Sequence, residues 1–527
     1  MTTESVVYLL PEAVLLAVAI LIAVAGVFLP WRAVWSWLAV AGLLAAATLV
    51  HRVDAARMLG AVTDDAMAHF VRLLVIGAGV LLTMTAARRA CRGQTSEYLA
   101  TLLFAVLGLM IVGSAQDLAL MFVGLELISI PTYVLLYLGR SDPAGQEATV
   151  KYFFLSVLSS AVTLYGFAFL YGIGGSLHLA EIHARLAGGM PPGFHLLGEL
   201  ALVLIFAGLG FKITAAPFHF YAADVYEGTS HVNAGVLAVL PKIGGFVALI
   251  RVLGVALPGE SHAGWQLCLV IAALTMTVGN TMALWQDNVR RLLAYSSIAH
   301  AGYMLIGLTV AFAVQEEPGA IGQFDGIAAT IFYLALYALA TTGAFAALTY
   351  LGGDQQQVEQ LDDLAGAGRT HPLASLSLAT FMFSLAGIPP LAGFWGKLGL
   401  FSAAISFRPD EAGHLQWWLV VLALIGLANA AVAVAYYLRI VVALFFRRGE
   451  FPSRGEGGLG AFVATLACGL AVLWIGLFPG PVLNASRQAA TAARQSVELS
   501  PGPAAPTTPA APTTEVAQTL DHAASNR

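Results

Sequence analysis

Four ionisable residues lie deep inside long apolar stretches of this sequence. They are Glu126 in GLELISIP, Lys212 in GLGFKITAAP, Lys242 in LPKIGGF and Lys397 in GFWGKLGLF. Each lies many residues from the nearest loop, too far for its charge to reach water comfortably. Since a charge at the centre of a bilayer costs about 2.5–3.5 kcal/mol on insertion scales, this placement points to a function for the four residues.

The chemistry open to these residue types is proton exchange. Burial disfavours the charged form of lysine, and a nearby carboxylate restores it. We therefore expect Glu126 to act on the lysine closest to it, so that a change in their separation expels or recruits a proton. The alternative is a static ion pair between Glu126 and one lysine, with carbonyl groups satisfying the other two lysines. One acid cannot pair with three lysines, which weighs against this alternative.

Two further pairs of residues are weaker candidates for proton transfer. Glu147 and Lys151 are four residues apart, which places them on one face of a helix. They form either part of a proton route or a solvated surface pair. His219 and His300 each carry an imidazole that could relay a proton, or they could be packing residues on apolar helices.

Other polar residues in the apolar stretches have simpler interpretations. Tyr333 and Tyr337 are four residues apart and could order water along one helix face, or could be ordinary aromatic packing. Arg72, Arg251 and Arg439 lie near the ends of apolar stretches, where long side chains reach the membrane surface. We therefore expect these arginines to snorkel and assign them no chemistry.

Membrane-spanning helices must position all of these residues. The chain is 59% hydrophobic and only 10% charged, whereas about a quarter of the residues in soluble proteins are charged. Apolar stretches of about 20 residues recur along the chain, and each can cross roughly 30 Å of hydrocarbon as a helix. The sequence therefore predicts an all-α integral membrane protein of about fourteen transmembrane helices.

Two of the predicted spans contain a break. Lys212 precedes Pro217 in GLGFKITAAPFHF, and Lys397 follows Pro390 in SLAGIPPLAGFWGKLGLF. Proline removes a helix donor and clashes with the preceding turn, so each span should unwind near its middle. The breaks are five spans apart, and an odd offset inverts the second copy in the membrane. This pattern is typical of inverted-repeat transporters with a working site near the midplane.

The distribution of charge predicts the topology. Basic residues are more frequent in one set of alternate loops, which predicts that both termini lie on the extracytoplasmic side. Residues 14–29 follow Glu4 and Glu12 rather than a basic segment, so we expect a retained span and not a signal peptide. The Pro/Ala/Thr-rich segment 496–527 cannot bury enough apolar surface to fold, and we expect a disordered tail.

The sequence lacks the motifs of several cofactor sites. There is no GxGxxG after a strand, no Walker A motif, no CxxC pair and no HExxH. Cys91, Cys268 and Cys468 are too few and too widely separated to ligate an iron–sulfur cluster, so we interpret them as small apolar residues. No basic tract indicates nucleic acid. We therefore expect no metal and no bound cofactor in this chain.

Several segments together resemble a known family. PFHFYAADVYEG, GLELISIPTYVLLY, RRLLAYSSIAHAGYM and GIPPLAGFWGKLGLF are similar to subunit N, the antiporter-like membrane subunit of bacterial proton-pumping NADH-quinone oxidoreductase, respiratory complex I. The likeness covers roughly residues 95–450. DVYEG, and lysine rather than glutamate at Lys397, favour this subunit over its paralogues L and M and over the related antiporter subunits.

The resemblance implies a fold of fourteen helices with two inverted five-helix repeats, each containing a broken helix and a half-channel. It implies the following divisions of the chain: 1–95 for helices 1–3, 96–257 for the first repeat, 258–450 for the second repeat, 451–495 for helix 14, and 496–527 for the tail.

The resemblance also implies roles for individual residues. Glu126 and Lys212 match the coupling pair, Lys242 matches the central-axis lysine, and Lys397 matches the terminal lysine towards the exit. The contributing positions of the family match Glu147, Lys151, His219 and Tyr295. Two residues depart from the family pattern. Tyr221 and Ala223 replace the usual Trp and Pro, which affects the local loop geometry more than the proton path.

From this resemblance we expect a proton-translocating membrane subunit of NADH-quinone oxidoreductase in the bacterial plasma membrane. NADH, FMN, iron–sulfur clusters and quinone would belong to partner subunits, and the neighbours would be other antiporter-like and small membrane-arm subunits in the lipid bilayer. One alternative is a Na⁺/H⁺ antiporter subunit of a multi-subunit cation/proton antiporter. Another is a passive scaffold whose ion pairs only hold helices together.

Overall fold

Long apolar segments form helices in a bilayer because the backbone must satisfy its hydrogen bonds internally. The structure is a computed structural model, and the residues that it describes are 8–52, 57–87, 94–140, 142–187, 193–253, 261–316, 325–352, 358–408, 414–449 and 457–498. Within these ranges the chain is almost entirely helical, which confirms the predicted all-α class. Cys91 and the predicted tail from residue 499 onwards lie outside the described ranges.

The N-terminal part of the chain contributes three helices and one short hairpin. Two strands of three residues each pair antiparallel before the third helix, with Met58 opposite Thr63. The elements are α1 Leu10–Phe28, α2 Arg32–Val50, β1 Arg57–Leu59, β2 Val62–Asp64 and α3 Ala66–Ala86.

The next part of the chain contains the first broken span. A short helix, α7, precedes that span and another, α9, follows the break. The elements are α4 Thr95–Ser114, α5 Leu118–Gly139, α6 Pro143–Gly174, α7 Leu179–Ala187, α8 His195–Lys212, α9 Ala222–Gly228 and α10 His231–Val252.

The remaining part of the chain contains the second broken span, in which α15 and α16 are the two halves. A 3-10 turn at Leu361–Leu364 precedes it. The helices are α11 Ser261–Leu284, α12 Val289–Glu316, α13 Gly326–Leu351, α14 Ala367–Thr370, α15 Pro372–Ala386, α16 Ala392–Ile405, α17 His414–Phe446, α18 Leu459–Leu477 and α19 Gly480–Glu498.

Thirteen helices in the described ranges are long and apolar enough to cross a membrane. The halves α15 and α16 are each too short to count, but together they supply one more crossing, which agrees with the prediction of about fourteen spans. Of these helices α10 is completely buried, and α12 and α13 are nearly so. The centre of the molecule therefore consists of α10, α12 and α13, and the other spans surround them.

Both predicted breaks are present, and each has a local cause. The helix α8 ends at Lys212, and Thr214 adopts a positive φ of 61°. The amide of Ala215 then donates to the carbonyl of Gly210 at 2.8 Å, which closes a wider turn than the α-helical one. At the second break α15 ends at Ala386, and Gly387 has φ 90°, a conformation that glycine adopts readily.

Side-chain caps fix where several spans begin. Asp65, Asp117, Asp142, Ser230 and Asp325 each precede a helix and accept a hydrogen bond from a backbone amide of its first turn. Such caps satisfy amides that have no partner inside the helix. They therefore fix the residue at which each of the helices α3, α5, α6, α10 and α13 begins.

The prediction that all three arginines snorkel was wrong for two of them. Arg72 is 1% exposed and lies 2.6 Å from Glu12 of α1. Arg251 is 2% exposed and lies 2.9 Å from Asp65, the cap of α3. Acidic residues of other helices reach these guanidinium groups, so the arginines pair inside the protein. Arg439 is partly exposed and pairs with a surface acid, which fits the prediction.

The C-terminal helix α19 was not expected as a separate element. It follows α18 after a short turn and packs against α3 and α13. Arg494 fixes its end through an ion pair of 2.9 Å to Asp325, the cap of α13. The helical segment therefore extends to Glu498, slightly past the predicted start of the disordered tail.

Candidate proton-transfer site

The structure brings Glu126 and Lys212 together. Glu126 on α5 lies 3.8 Å from the Nζ of Lys212, the last residue of α8. Lys212 is 5% exposed. Its Nζ donates to the Oγ of Ser129 at 2.6 Å, and the hydroxyl of Ser160 donates to Glu126. At 3.8 Å the two charges interact without forming a tight bond, and each has a hydroxyl group as its nearer partner.

More hydroxyl groups lie next to this pair on α5 and α6. The side chain of Tyr133, four residues after Ser129, donates to the Oγ of Ser156 at 2.8 Å. The ring of Tyr133 lies 5.7 Å from that of Tyr152, which in turn lies 5.6 Å from the ring of Tyr221. These serines and tyrosines therefore form a cluster beside the Glu126–Lys212 pair, joined by a hydrogen bond and by ring contacts.

A cavity of about 440 Å³ opens at the start of α6, and charged side chains line it. Glu147, Lys151, Asp224 and Glu227 are among its lining residues. We call this site the charged mouth and define it by these four residues together with Arg291, which pairs with two of them. Lys151 lies 2.5 Å from Glu147 and 3.2 Å from Asp224. Arg291 of α12 lies 2.8 Å from Asp224 and 2.7 Å from Glu227.

Asp224 lies at the centre of the charged mouth. Partial burial raises its pKa, but the hydrogen bonds from Arg291 and Lys151 outweigh that effect and leave the pKa below its usual value. Asp224 is therefore ionised at neutral pH. It joins α6 to α12 because its two oxygens bind cations from these two helices.

Lys242 of α10 points towards α12. Its Nζ donates to both oxygens of Ser297, to the carbonyl and, at 2.7 Å, to the hydroxyl. The hydroxyl of Tyr337 also donates to Ser297 at 2.7 Å, and the Lys242 Nζ lies 4.9 Å from the centre of the Tyr337 ring. An ammonium over an aromatic face is stabilised by the ring quadrupole.

His300 links the next groups along the same side of α12. Its Nδ1 lies 2.7 Å from the hydroxyl of Tyr333, and its Nε2 lies 2.8 Å from that of Tyr437. The hydroxyl of Tyr437 also lies 2.5 Å from Ser296. With a partner at each nitrogen, His300 has the geometry of a proton relay, since one nitrogen can accept a proton while the other donates.

Lys397 lies at the second break. Its Nζ donates to the carbonyl of Ala386, the last residue of α15, at 2.8 Å. It also lies 4.8 Å from the centre of the Tyr303 ring, and the Tyr303 hydroxyl accepts from Asn280 at 3.2 Å. The unwound end of a helix thus supplies the acceptor for this lysine, as expected for an irregular backbone that lines a polar site.

The other predicted site residues lie at the edges of this arrangement. His219 is half-buried in the unwound segment after Pro217. Tyr295 is 8% exposed on α12, next to Ser296. Tyr221 stacks on Phe211 and donates to its carbonyl at 3.0 Å, so this residue braces the first break.

Sequence reasoning missed several partners of the ionisable residues. Ser129 and Ser160 contact the Glu126–Lys212 pair, and Ser297 holds Lys242. One signal was available for two of these serines. Ser129 is three residues after Glu126, and Ser297 is three residues before His300, so each shares a helix face with an ionisable residue.

No group of three or more His, Cys, Asp or Glu side chains that could hold a metal ion occurs among the residues that the structure describes. Cys268 and Cys468 are both buried and free. Lys242, Lys397 and His300 are instead partnered by hydroxyl and carbonyl groups. Such partners suit the movement of protons along hydrogen bonds.

Comparison with known proteins identifies a family. Residues 115–446 match the family described as NADH:quinone oxidoreductase/Mrp antiporter, TM. The chain is 40% identical over 381 residues to NADH-quinone oxidoreductase subunit N of Trichlorobacter lovleyi, covering 72% of this chain and 73% of that protein. It is 37% identical over 453 residues to the protein of the same name from Desulfitobacterium hafniense, covering 83% and 87% respectively.

Solved structures show the same fold. A chain of respiratory complex I from Thermus thermophilus, solved with bound aureothin, is 34% identical and has a TM-score of 0.74, covering 90% of this chain and 98% of that one. A chain of the Mrp complex from Dietzia sp. DQ12-45-1b is 22% identical and has a TM-score of 0.77, covering 94% of this chain and 98% of that one. At this identity the likeness supports the fold alone.

Proposed function

The chain belongs to the family of NADH:quinone oxidoreductase and Mrp antiporter membrane subunits, and on this basis we propose that it is a proton-translocating subunit of an NADH-quinone oxidoreductase. Relatives at 35–40% identity over most of the chain carry that enzyme's name. In this proposal NADH, FMN, the iron–sulfur clusters and quinone are held by partner subunits. The chain itself contributes proton transfer to the translocase reaction.

The observation that carries the proposal is the separation of 3.8 Å between Glu126 and Lys212 inside the spanning region. When the carboxylate is close, it stabilises the ammonium form of the lysine. When the two groups separate, the buried ammonium loses that support and releases its proton. Quinone reduction in a partner subunit would drive this separation.

Protons reach the pair from the charged mouth through the hydroxyl groups of α5 and α6. Lys151 and Glu147 lie at the surface end of this route, and Tyr133 and Ser129 lie next to Lys212. Hydroxyl groups both donate and accept, so they can pass a proton in either direction.

The route continues through the second half of the chain. Lys242 receives the proton, and Ser297 and His300 lie between it and the tyrosines around Lys397. Lys397 then releases the proton on the far side of the membrane. His219 and Tyr295 are assigned supporting roles in the same transfer.

The division of the chain follows from this scheme. We assign residues 96–257 to the first repeat and 258–450 to the second, inverted in the membrane relative to the first. Each repeat contains one broken span and a lysine beside the break, which supports the assignment. Residues 1–95 and 451–495 are then additions outside the repeats.

The location of the subunit is the bacterial plasma membrane, in contact with other membrane-arm subunits. Both termini are assigned to the extracytoplasmic side, and the charged mouth to the cytoplasmic side. The excess of basic residues in one set of alternate loops supports this orientation.

Proton pumping by the assembled complex tests the proposal. The variant Lys212→Ala should abolish NADH-driven acidification of proteoliposomes, because the group that takes up and releases the proton is lost. Val203→Ala is the matched control, since Val203 lies on the same helix with 48% of its surface exposed. Wild-type pumping by the Lys212→Ala complex would overturn the proposal.

The same proteoliposomes distinguish the proposed oxidoreductase subunit from a sodium/proton antiporter subunit. Pumping that requires sodium, from complexes without NADH oxidation, would favour that alternative. Proton uptake that follows NADH oxidation in sodium-free buffer favours the oxidoreductase subunit.

A further inference from the structure

An apolar crevice lies on the opposite side of α13 from the proton-transfer site. It has a volume of about 740 Å³ and lies between α3, α13, α18 and α19. The face of α13 that lines it includes Ala335, Ala338 and Leu339, whereas Tyr333 and Tyr337 of the same helix point to the site. We call this cavity the α13 crevice.

The depth of the α13 crevice matches one leaflet of a bilayer. Its lining runs along α3 from Ala66 to Leu81, which is about 22 Å at the helical rise of 1.5 Å per residue. Half of a bilayer, with its headgroup region, is about 20–22 Å thick. A transmembrane helix of a partner would need the full hydrocarbon thickness and roughly 2,400 Å³, so it does not fit.

The chemistry of the crevice changes along its depth. Leu73, Leu74 and Leu81 line the α3 wall, whereas His69 and Gln488 lie at the end where α19 covers it. The ring of His51 lies 5.4 Å from that of His69. Hydrogen-bond donors therefore occupy the level of the headgroups, and apolar side chains occupy the level of the acyl chains.

The crevice also has unfilled space at the outer surface of the helix bundle. Gly77 lies on its α3 wall and is exposed, and a Cβ added there would meet no described atom within 4 Å. Trp474 on the α18 side is 50% exposed. The crevice is therefore open towards the bilayer, so a hydrocarbon chain from the surrounding lipid can enter it from the side.

We propose that the α13 crevice binds one phospholipid. One acyl chain lies between α3 and α13, and the phosphate lies beside His69 and Gln488. The bound lipid fills the space beside Ala335 and Leu339 of α13, which are only partly buried. This site lies outside the proton path and does not depend on the direction of transport.

Photolabelling of the complete oxidoreductase complex tests the proposal. The complex is reconstituted in vesicles of phosphatidylethanolamine and phosphatidylglycerol that contain a phosphatidylethanolamine with a diazirine on one acyl chain. After illumination the labelled peptides are mapped by mass spectrometry. We expect strong labelling of the α3 segment 73–81 and of the α13 segment 335–339.

A filling variant and a matched control make the test specific. Gly77→Leu places a side chain in the crevice and should reduce this labelling several-fold. Gly172→Leu on α6 is the control, because a Cβ at Gly172 also meets no described atom within 4 Å, but it lies away from the crevice. Undiminished labelling in the Gly77→Leu complex would overturn the proposal.

A second measurement needs no variant. A phosphatidylethanolamine with the diazirine on its headgroup should label the peptides of His69 and Gln488 and not the segment 73–81. Labelling of the crevice no stronger than that of exposed Leu158 and Leu164 on α6 would indicate ordinary lipid contact and contradict a specific site. Competition by an isoprenoid quinone but not by phospholipid would contradict it as well.

Discussion

At the scale of single residues, hydroxyl groups determine how the buried lysines are held. Lys212 donates to Ser129, and Lys242 donates to Ser297. A hydrogen bond to a charged group contributes about 1.5–3 kcal/mol, so the loss of one changes how readily a lysine keeps its proton. The serines are therefore part of the proposed transfer route as much as the lysines.

Replacing Ser297 tests this contribution. Ser297→Ala removes one acceptor of the Lys242 ammonium and the acceptor of Tyr337. If proton transfer through Lys242 limits turnover, a loss of about 1.5–3 kcal/mol slows pumping by roughly tenfold or more. The measurement is the initial rate of acidification in proteoliposomes.

The control for this prediction lies on the same helix. Thr309→Val removes a buried hydroxyl that donates only to Leu305 of its own helix at 2.8 Å among the bonds described. Pumping should be nearly unchanged in this variant. Equal rates for Ser297→Ala and wild type would show that Ser297 has no part in the transfer.

The ionisable residues could be predicted from the sequence, whereas some of their partners could not. A lysine in an apolar stretch is conspicuous because its burial is costly. A serine or tyrosine in the same stretch is common, so Ser160 and Tyr437 gave no signal of their own. Their contacts depend on how helices pack, over separations of 34 residues for Ser160 with Glu126 and 137 for Tyr437 with His300.

At the scale of elements, the two breaks place lysines beside unwound backbone. Lys212 is the last residue of α8, and Lys397 lies one and a half turns into α16, where it reaches back to Ala386. Gly387 makes this reach possible, because a Cβ at that position would lie 2.9 Å from the Lys397 Cδ. Its φ of 90° also disfavours any other residue.

Replacing Gly387 should disturb Lys397 without removing it. Gly387→Ala forces the lysine away from the Ala386 carbonyl, and we expect a clear decrease in pumping per NADH oxidised. Gly399→Ala on α16 is the control, since its Cβ would meet only Ala329, at 4.0 Å. The measurement is the ratio of proton uptake to NADH oxidation, and an unchanged ratio for Gly387→Ala would contradict this account.

The breaks could be predicted because proline gives a strong local signal. The short elements could not. The hairpin β1–β2 has strands of only three residues, and α7 and α9 are too short for a periodic pattern to stand out. The helix α19 is long but polar, so its segment did not resemble a span, and its place was fixed by packing against α3 and α13.

At the scale of the whole molecule, buried ion pairs attach the first three helices to the rest. Arg251 at the end of α10 binds both carboxylate oxygens of Asp65 and also the carbonyl of Gly113. Arg72 and Glu12 join α3 to α1. Sequence reasoning could not find the first pair, because 186 residues separate its members.

Breaking the buried ion pair between Arg251 and Asp65 should destabilise the assembled protein. Removing one partner of a buried ion pair costs about 3–5 kcal/mol, because the other charge is left without compensation. Arg251→Met should therefore lower the thermal unfolding temperature of the complex clearly. The surface variant Arg439→Met, which breaks a pair with Asp287, should cost about 1 kcal/mol or less. Equal shifts for the two variants would contradict this view.

The central claim is that Glu126 and Lys212 separate as the enzyme turns over, which changes the hydrogen bonding of the Glu126 carboxylate. Infrared difference spectroscopy tests this claim most directly. Spectra of the complete complex are recorded before and after NADH is added. We predict a carboxyl band that is absent in Glu126→Gln and present in the control Glu181→Gln, which alters an acid of α7 outside the route. Identical difference spectra for wild type and Glu126→Gln would contradict the claim.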